Sequence, residues 1–161
     1  MRSRINRLGA VFQLAPRERI VLARAWGLFL LVPLALRILP FTRLLARWQK
    51  SSPGRCQDFG PVPSPPLPRL VWLVEVAARY SPLSATCLTK ALVLSRILGG
   101  RGIVSTLRIG IARHDGASLT AHAWLERNGE VILGQQEAAR HAPLLGATFG
   151  DRPEAKRGGT A

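Results

Sequence analysis

The spacing of the apolar residues changes at Gly99-Gly100, and that change leaves few folds open to this chain. Before the glycine pair, Leu88, Ala91, Leu92, Ser95 and Leu98 recur at helical spacing, and Val93, Leu94 and Ile97 widen the stripe almost all the way round. A helix so apolar belongs at the centre of a core. After the pair, Ile103, Ser105, Leu107, Ile109 and Ile111 alternate with Val104, Thr106, Arg108 and Gly110, the two-residue period of a strand with one apolar face. The glycines supply the stop between the two patterns. His114-Asp115-Gly116 is turn chemistry. Leu119 to Arg127 reads as a second strand, and Asn128-Gly129 is a strong hairpin signal that returns the chain through Glu130 to Leu133. A core helix followed by an antiparallel sheet predicts an α+β fold.

Upstream, Pro16 followed by Glu18 suits the opening turn of a helix, where a missing N–H is harmless and an acid meets the positive end of the dipole. That helix should run through Ile20, Ala23, Trp26 and Leu30, be kinked or ended by Pro33, and stop by Pro40. A short helix is expected over Thr42 to Gln49. From Ser51 to Pro68 the chain carries six prolines and two glycines, the composition of an extended linker. The expected organisation is an N-terminal helical segment and linker over 1–68, a core over 69–147 and a flexible tail over 148–161. A helix over Arg69 to Tyr80 opens the core, and Ser84 is placed to cap the next, Ala85 to Leu98.

At 161 residues and 47% hydrophobic, the chain has enough apolar material for a packed domain and is not disordered as a whole. Its 23 Lys and Arg against nine acids give a net charge of +14. Nine arginines, one lysine and one acid, Glu18, fall within residues 1–50. Such a surface attracts nucleic acid, anionic lipid or an acidic protein. The interleaved aromatic and arginine pattern of a nucleic-acid binder is missing, so nucleic acid is not expected. The uncharged run Ala25 to Leu36 has 12 residues, short of the roughly 20 that span a bilayer. A buried amphipathic helix is expected there, with membrane contact not favoured, and a cytoplasmic protein. Cys56 and Cys87 form no Cys-x-x-Cys pair, which argues against a thioredoxin-type redox site and a cysteine zinc site.

The chemistry-bearing residues are Cys87 and His122, 35 residues apart. With Ser84 as cap, Cys87 falls at the third position of its helix, among unpaired backbone N–H groups at the positive end of the dipole, the setting a thiolate nucleophile needs. His122, central in a strand expected beside that helix, is the natural base, ahead of His114 in a loop and His141 near the tail. A base of this kind is held by a third group. A two-residue turn at Asn128-Gly129 pairs Arg127 with Glu130 and sets His122 opposite Gln135. A three-residue loop with a bulge sets it opposite Gly134. Gln135 is the expected third member, with Glu137 on the same face as its back-up. Glu126 shares the face of His122 but stands about 13 Å along the strand.

Cys87-Leu88-Thr89-Lys90-Ala91-Leu92, Arg101-Gly102-Ile103, Leu107-Arg108-Ile109-Gly110-Ile111 and Ala121-His122-Ala123-Trp124-Leu125-Glu126, taken in this order, resemble the transglutaminase-like leader peptidases of lasso-peptide biosynthesis, the B-protein family that processes microcin J25. The resemblance covers roughly residues 69 to 134, and Pro16-Arg17-Glu18-Arg19 and Leu39-Pro40-Phe41 extend it. It implies a papain- and transglutaminase-like fold and a cysteine peptidase that removes the leader from a ribosomally made precursor, with Cys87 as nucleophile and His122 as base and without metal or cofactor. The implied partners are the precursor's leader region, a separate leader-recognition protein and a cyclase that closes the macrolactam ring. The family's third member is an Asp 12 residues after the His, where this chain has Gly134. A non-catalytic scaffold of the same fold, holding precursor and cyclase, is the alternative.

Overall fold

A computed structural model describes residues 14–50, 65–113 and 119–149. Its helices are α1 (Pro16–Ile38), α2 (Phe41–Lys50), α3 (Leu67–Arg79), α4 (Cys87–Gly99) and the single turn α5 (Gln135–Ala138). The strands β1 (Ser105–Arg113), β2 (Leu119–Arg127), β3 (Glu130–Leu133) and β4 (Ala142–Phe149) form one antiparallel sheet in the order β3-β2-β1-β4. The fold is α+β, as the change of apolar period at Gly99-Gly100 dictates.

α1 starts where the sequence places it. Pro16 opens the first turn, and the Glu18 carboxylate reaches back to accept from the Ala15 N–H at 3.2 Å. Arg69 of α3 donates to the same carboxylate at 2.7 Å, which ties the start of α1 to α3. The expected break at Pro33 does not occur, and the helix continues to Ile38. A proline inside a helix costs about 3 kcal/mol. Phe29 and Val32 on either side of the missing bond are fully buried, and their packing outweighs that local cost. Leu39 turns extended, and Pro40 follows it.

One apolar cluster holds the described residues together. Val21, Ala25, Phe29 and Val32 of α1 meet Leu70, Leu73 and Val74 of α3, Leu92, Leu94 and Leu98 of α4, and Leu107, Ala123, Leu125 and Phe149 of the sheet. The expected boundary at residue 68 therefore divides no two cores. α1 packs on α3 and α4 as an integral layer. Among the described residues α1 is also the helix long and apolar enough to cross a membrane.

Alternation sorts the sheet into two faces. Leu107, Ile109, Ala123 and Leu125 turn toward the helices and join the cluster. Arg108, Gly110, His122, Trp124 and Glu126 line the other face. β4 is an element that the sequence reading left out, and it draws Thr148 and Phe149 from the expected tail into the sheet, with Phe149 buried. Pro143 and Gly146 disguise it. An edge strand tolerates proline because one side of its backbone needs no partner. The remainder of the expected tail, from residue 150, lies outside the described residues.

Candidate active site

The thiol sits two positions earlier in its helix than the sequence suggested. Thr86, extended at φ −68° and ψ 162°, is the cap of α4, and its Oγ1 accepts the Thr89 N–H at 3.2 Å. The two threonine hydroxyls also bond each other at 2.9 Å. Ser84, the expected cap, is exposed and lies outside the helix. Cys87 is thus the first helical residue, half-buried against the core, with no acidic residue in the first turn. Both flanking hydroxyls are engaged with each other, so the cap fixes the backbone on which the sulfur is carried. Cys56 and His114 lie outside the described residues.

Ile103 N–H bonds Leu98 O at 3.0 Å, so β1 begins its return level with the end of α4. From Leu98 back to Cys87 the helix rises about 16 Å, a length that an antiparallel strand covers in about five residues. At that level of the sheet Arg108 and Gly110 pair with Trp124 and His122. By strand alternation His122 shares its face of the sheet with Arg108, Trp124 and Glu126.

The hairpin explains what faces His122. Asn128 (φ 51°) and Gly129 (φ 82°) make a two-residue turn that pairs Arg127 with Glu130, as the first of the two expected registers requires. A bulge between Leu125 and Glu126 then shifts the pairing, so that Leu125 meets Leu133. β3 ends there. Gly134, at φ 84°, comes against Trp124 rather than His122. Gln135 begins α5, is exposed, and donates from Nε2 to Val131 O at 3.3 Å. Neither expected register brings a β3 side chain opposite His122, because the extra residue and the left-handed glycine end the strand first. Glu137 belongs to α5, and its side chain lies outside the described residues. Glu126 is committed elsewhere, accepting from Arg108 Nε at 3.0 Å and from Trp124 Nε1 at 2.9 Å.

One neighbour that the structure gives His122 is His141. Their rings stack with centroids 5.3 Å apart and 27° between planes, and His141 Nε2 lies 3.5 Å from Thr120 Oγ1. Gly110 separates β2 from β4 at this level, paired with His122 on one side and Pro143 on the other, and brings no side chain between the rings. Sequence reasoning ranked His141 low because β4 was unrecognised. A glycine on an otherwise apolar strand, directly opposite the candidate base, was the available signal.

Four helices packed on a four-stranded antiparallel sheet, with a thiol at the start of the central helix and an imidazole on the sheet, are consistent with a transglutaminase-like or papain-like fold. The family model for the transglutaminase-like superfamily matches residues 28–146, and the chain belongs to that superfamily, which includes cysteine peptidases and transglutaminases. The match begins within α1, in keeping with the core that α1 shares with the sheet. Comparison with curated proteins and with solved structures finds no match.

Proposed function

We propose that this protein is a cysteine peptidase that cleaves the leader from a ribosomally made lasso-peptide precursor, with Cys87 as nucleophile and His122 as general base. The observation that supports this reading best is the place of Cys87, first residue of a capped helix with no acid in its first turn, in a chain of the transglutaminase-like superfamily. The Cys87 sulfur adds to the scissile carbonyl as its proton passes to the imidazole. Collapse breaks the peptide C–N bond, the imidazolium protonates the leaving amine, and water then hydrolyses the thioester. Free enzymes often hold such groups apart until substrate is bound. The leader, a separate recognition protein and the ring-closing cyclase are the partners this reading requires, in the cytoplasm.

The test is cleavage of the precursor in the presence of the recognition protein. Cys87→Ala and His122→Ala each lower the rate by about a thousandfold or more while the circular dichroism spectrum is kept. Normal cleavage by Cys87→Ala overturns the mechanism. A second reading, a non-catalytic scaffold for precursor and cyclase, draws on the glycine at 134, where the family resemblance has an acid. Alkylation distinguishes the two, since a scaffold's Cys87 reacts with iodoacetamide no faster than Cys56, and a nucleophile reacts faster.

A further inference from the structure

Among the described residues the core claims one side of α1 and leaves the opposite side apolar and exposed. Val21, Ala25, Phe29 and Val32 are buried, whereas Ile20, Leu31, Leu34 and Ile38 are 52%, 61%, 54% and 72% exposed. At 3.6 residues per turn these four share one line along the helix with Gly27, where an added Cβ would meet nothing within 4 Å. Trp26, about 100° round the helix from Gly27, is 43% exposed, its Nε1 donating to Tyr80 O at 3.1 Å, and Tyr80 is itself 52% exposed. An uncovered apolar face of this size marks an interaction surface.

Charge selects what covers it. Exposed Arg17 and Arg24 flank the line on one side, and exposed Arg19 and Arg37 flank it on the other. The one acid of the helix, Glu18, is taken by Arg69. A second copy of the chain would set these arginines against their own kind. An anionic bilayer surface matches them, with leucine and isoleucine entering between the headgroups while the guanidinium groups stay at phosphate level. The helix lies on such a surface and does not cross it, because Phe29 and Val32 cannot leave the core that the sheet shares. We infer that the outward face of α1, Ile20, Leu31, Leu34 and Ile38 between arginines, docks the protein on an anionic membrane surface. This inference stands independently of the proposed peptidase activity.

The full chain is sedimented with vesicles of phosphatidylcholine containing phosphatidylglycerol and with vesicles of phosphatidylcholine alone. Binding to the anionic vesicles, weakened by salt, is expected. The pair Leu31→Gln, Leu34→Gln weakens it by more than about tenfold. Arg17→Gln and Arg37→Gln each weaken it by about fivefold. All four positions are exposed, so unfolding midpoints should stay near wild type, and that measurement separates loss of docking from loss of fold. Equal binding to both vesicle types overturns the inference, as does anionic binding that is indifferent to the two leucines. So does wild-type protein that ignores vesicles but self-associates through Leu31 and Leu34.

Discussion

Gly134 holds the position where the lasso-peptidase resemblance has an acid, and its surroundings admit no acid. Its φ of 84° lies in the left-handed region, and a Cβ there would stand 3.0 Å from Trp124 Cβ. Gly134→Asp is therefore no repair of a triad. Both Gly134→Asp and Gly134→Ala are expected to lower stability by about 1 to 3 kcal/mol, read from urea unfolding. A carboxylate accepted at no cost would show that the hairpin can take another register. At this scale the sequence was legible where chemistry is local. Asn128 and Gly129 make the two-residue turn their sequence predicts. The pairing of His122 was illegible because a single inserted residue at the bulge moves every later partner, and nothing in Val131-Ile132-Leu133 announces it.

Elements were legible when their own residues determine them. α3, α4 and the β2-β3 hairpin fall within two residues of their expected limits, because periodicity and turn chemistry agree. α1 and β4 depart from expectation because distant residues stabilise them, Pro33 being carried by buried neighbours and Pro143 by its edge position. The bond between α1 and α3 supplies a prediction in pH. Hydrogen bonding from Arg69, chiefly, holds the Glu18 carboxyl below its usual value of 4.5, the Ala15 N–H adds to this, and burial opposes it. The unfolded chain thus binds the Glu18 proton more tightly than the folded one. The stability contributed is complete above about pH 5 and is lost as pH falls through the depressed folded value. Glu18→Gln should flatten the acid side of the stability profile measured by urea unfolding. An unchanged profile would show that the pair carries no linkage.

The described residues form one core wrapped by α1. Phe29→Ala, on α1, is expected to lower global stability by about 3 to 5 kcal/mol in a single transition seen alike by tryptophan fluorescence and circular dichroism. If the N-terminal helices were a separate unit, two transitions would appear and the sheet would keep its midpoint. The superfamily match from residue 28 and the cluster from Leu14 to Phe149 both point to the single transition. The same wrapping sets an order of events during synthesis. α1 leaves the ribosome before α3 and α4 exist, apolar on the side meant for them and apolar on the side that stays outward. At about 5 to 20 residues per second, that helix waits several seconds for its partners. During this interval the nascent chain is at its most adhesive, and whatever first shelters α1 decides whether the rest folds onto it or aggregates around it.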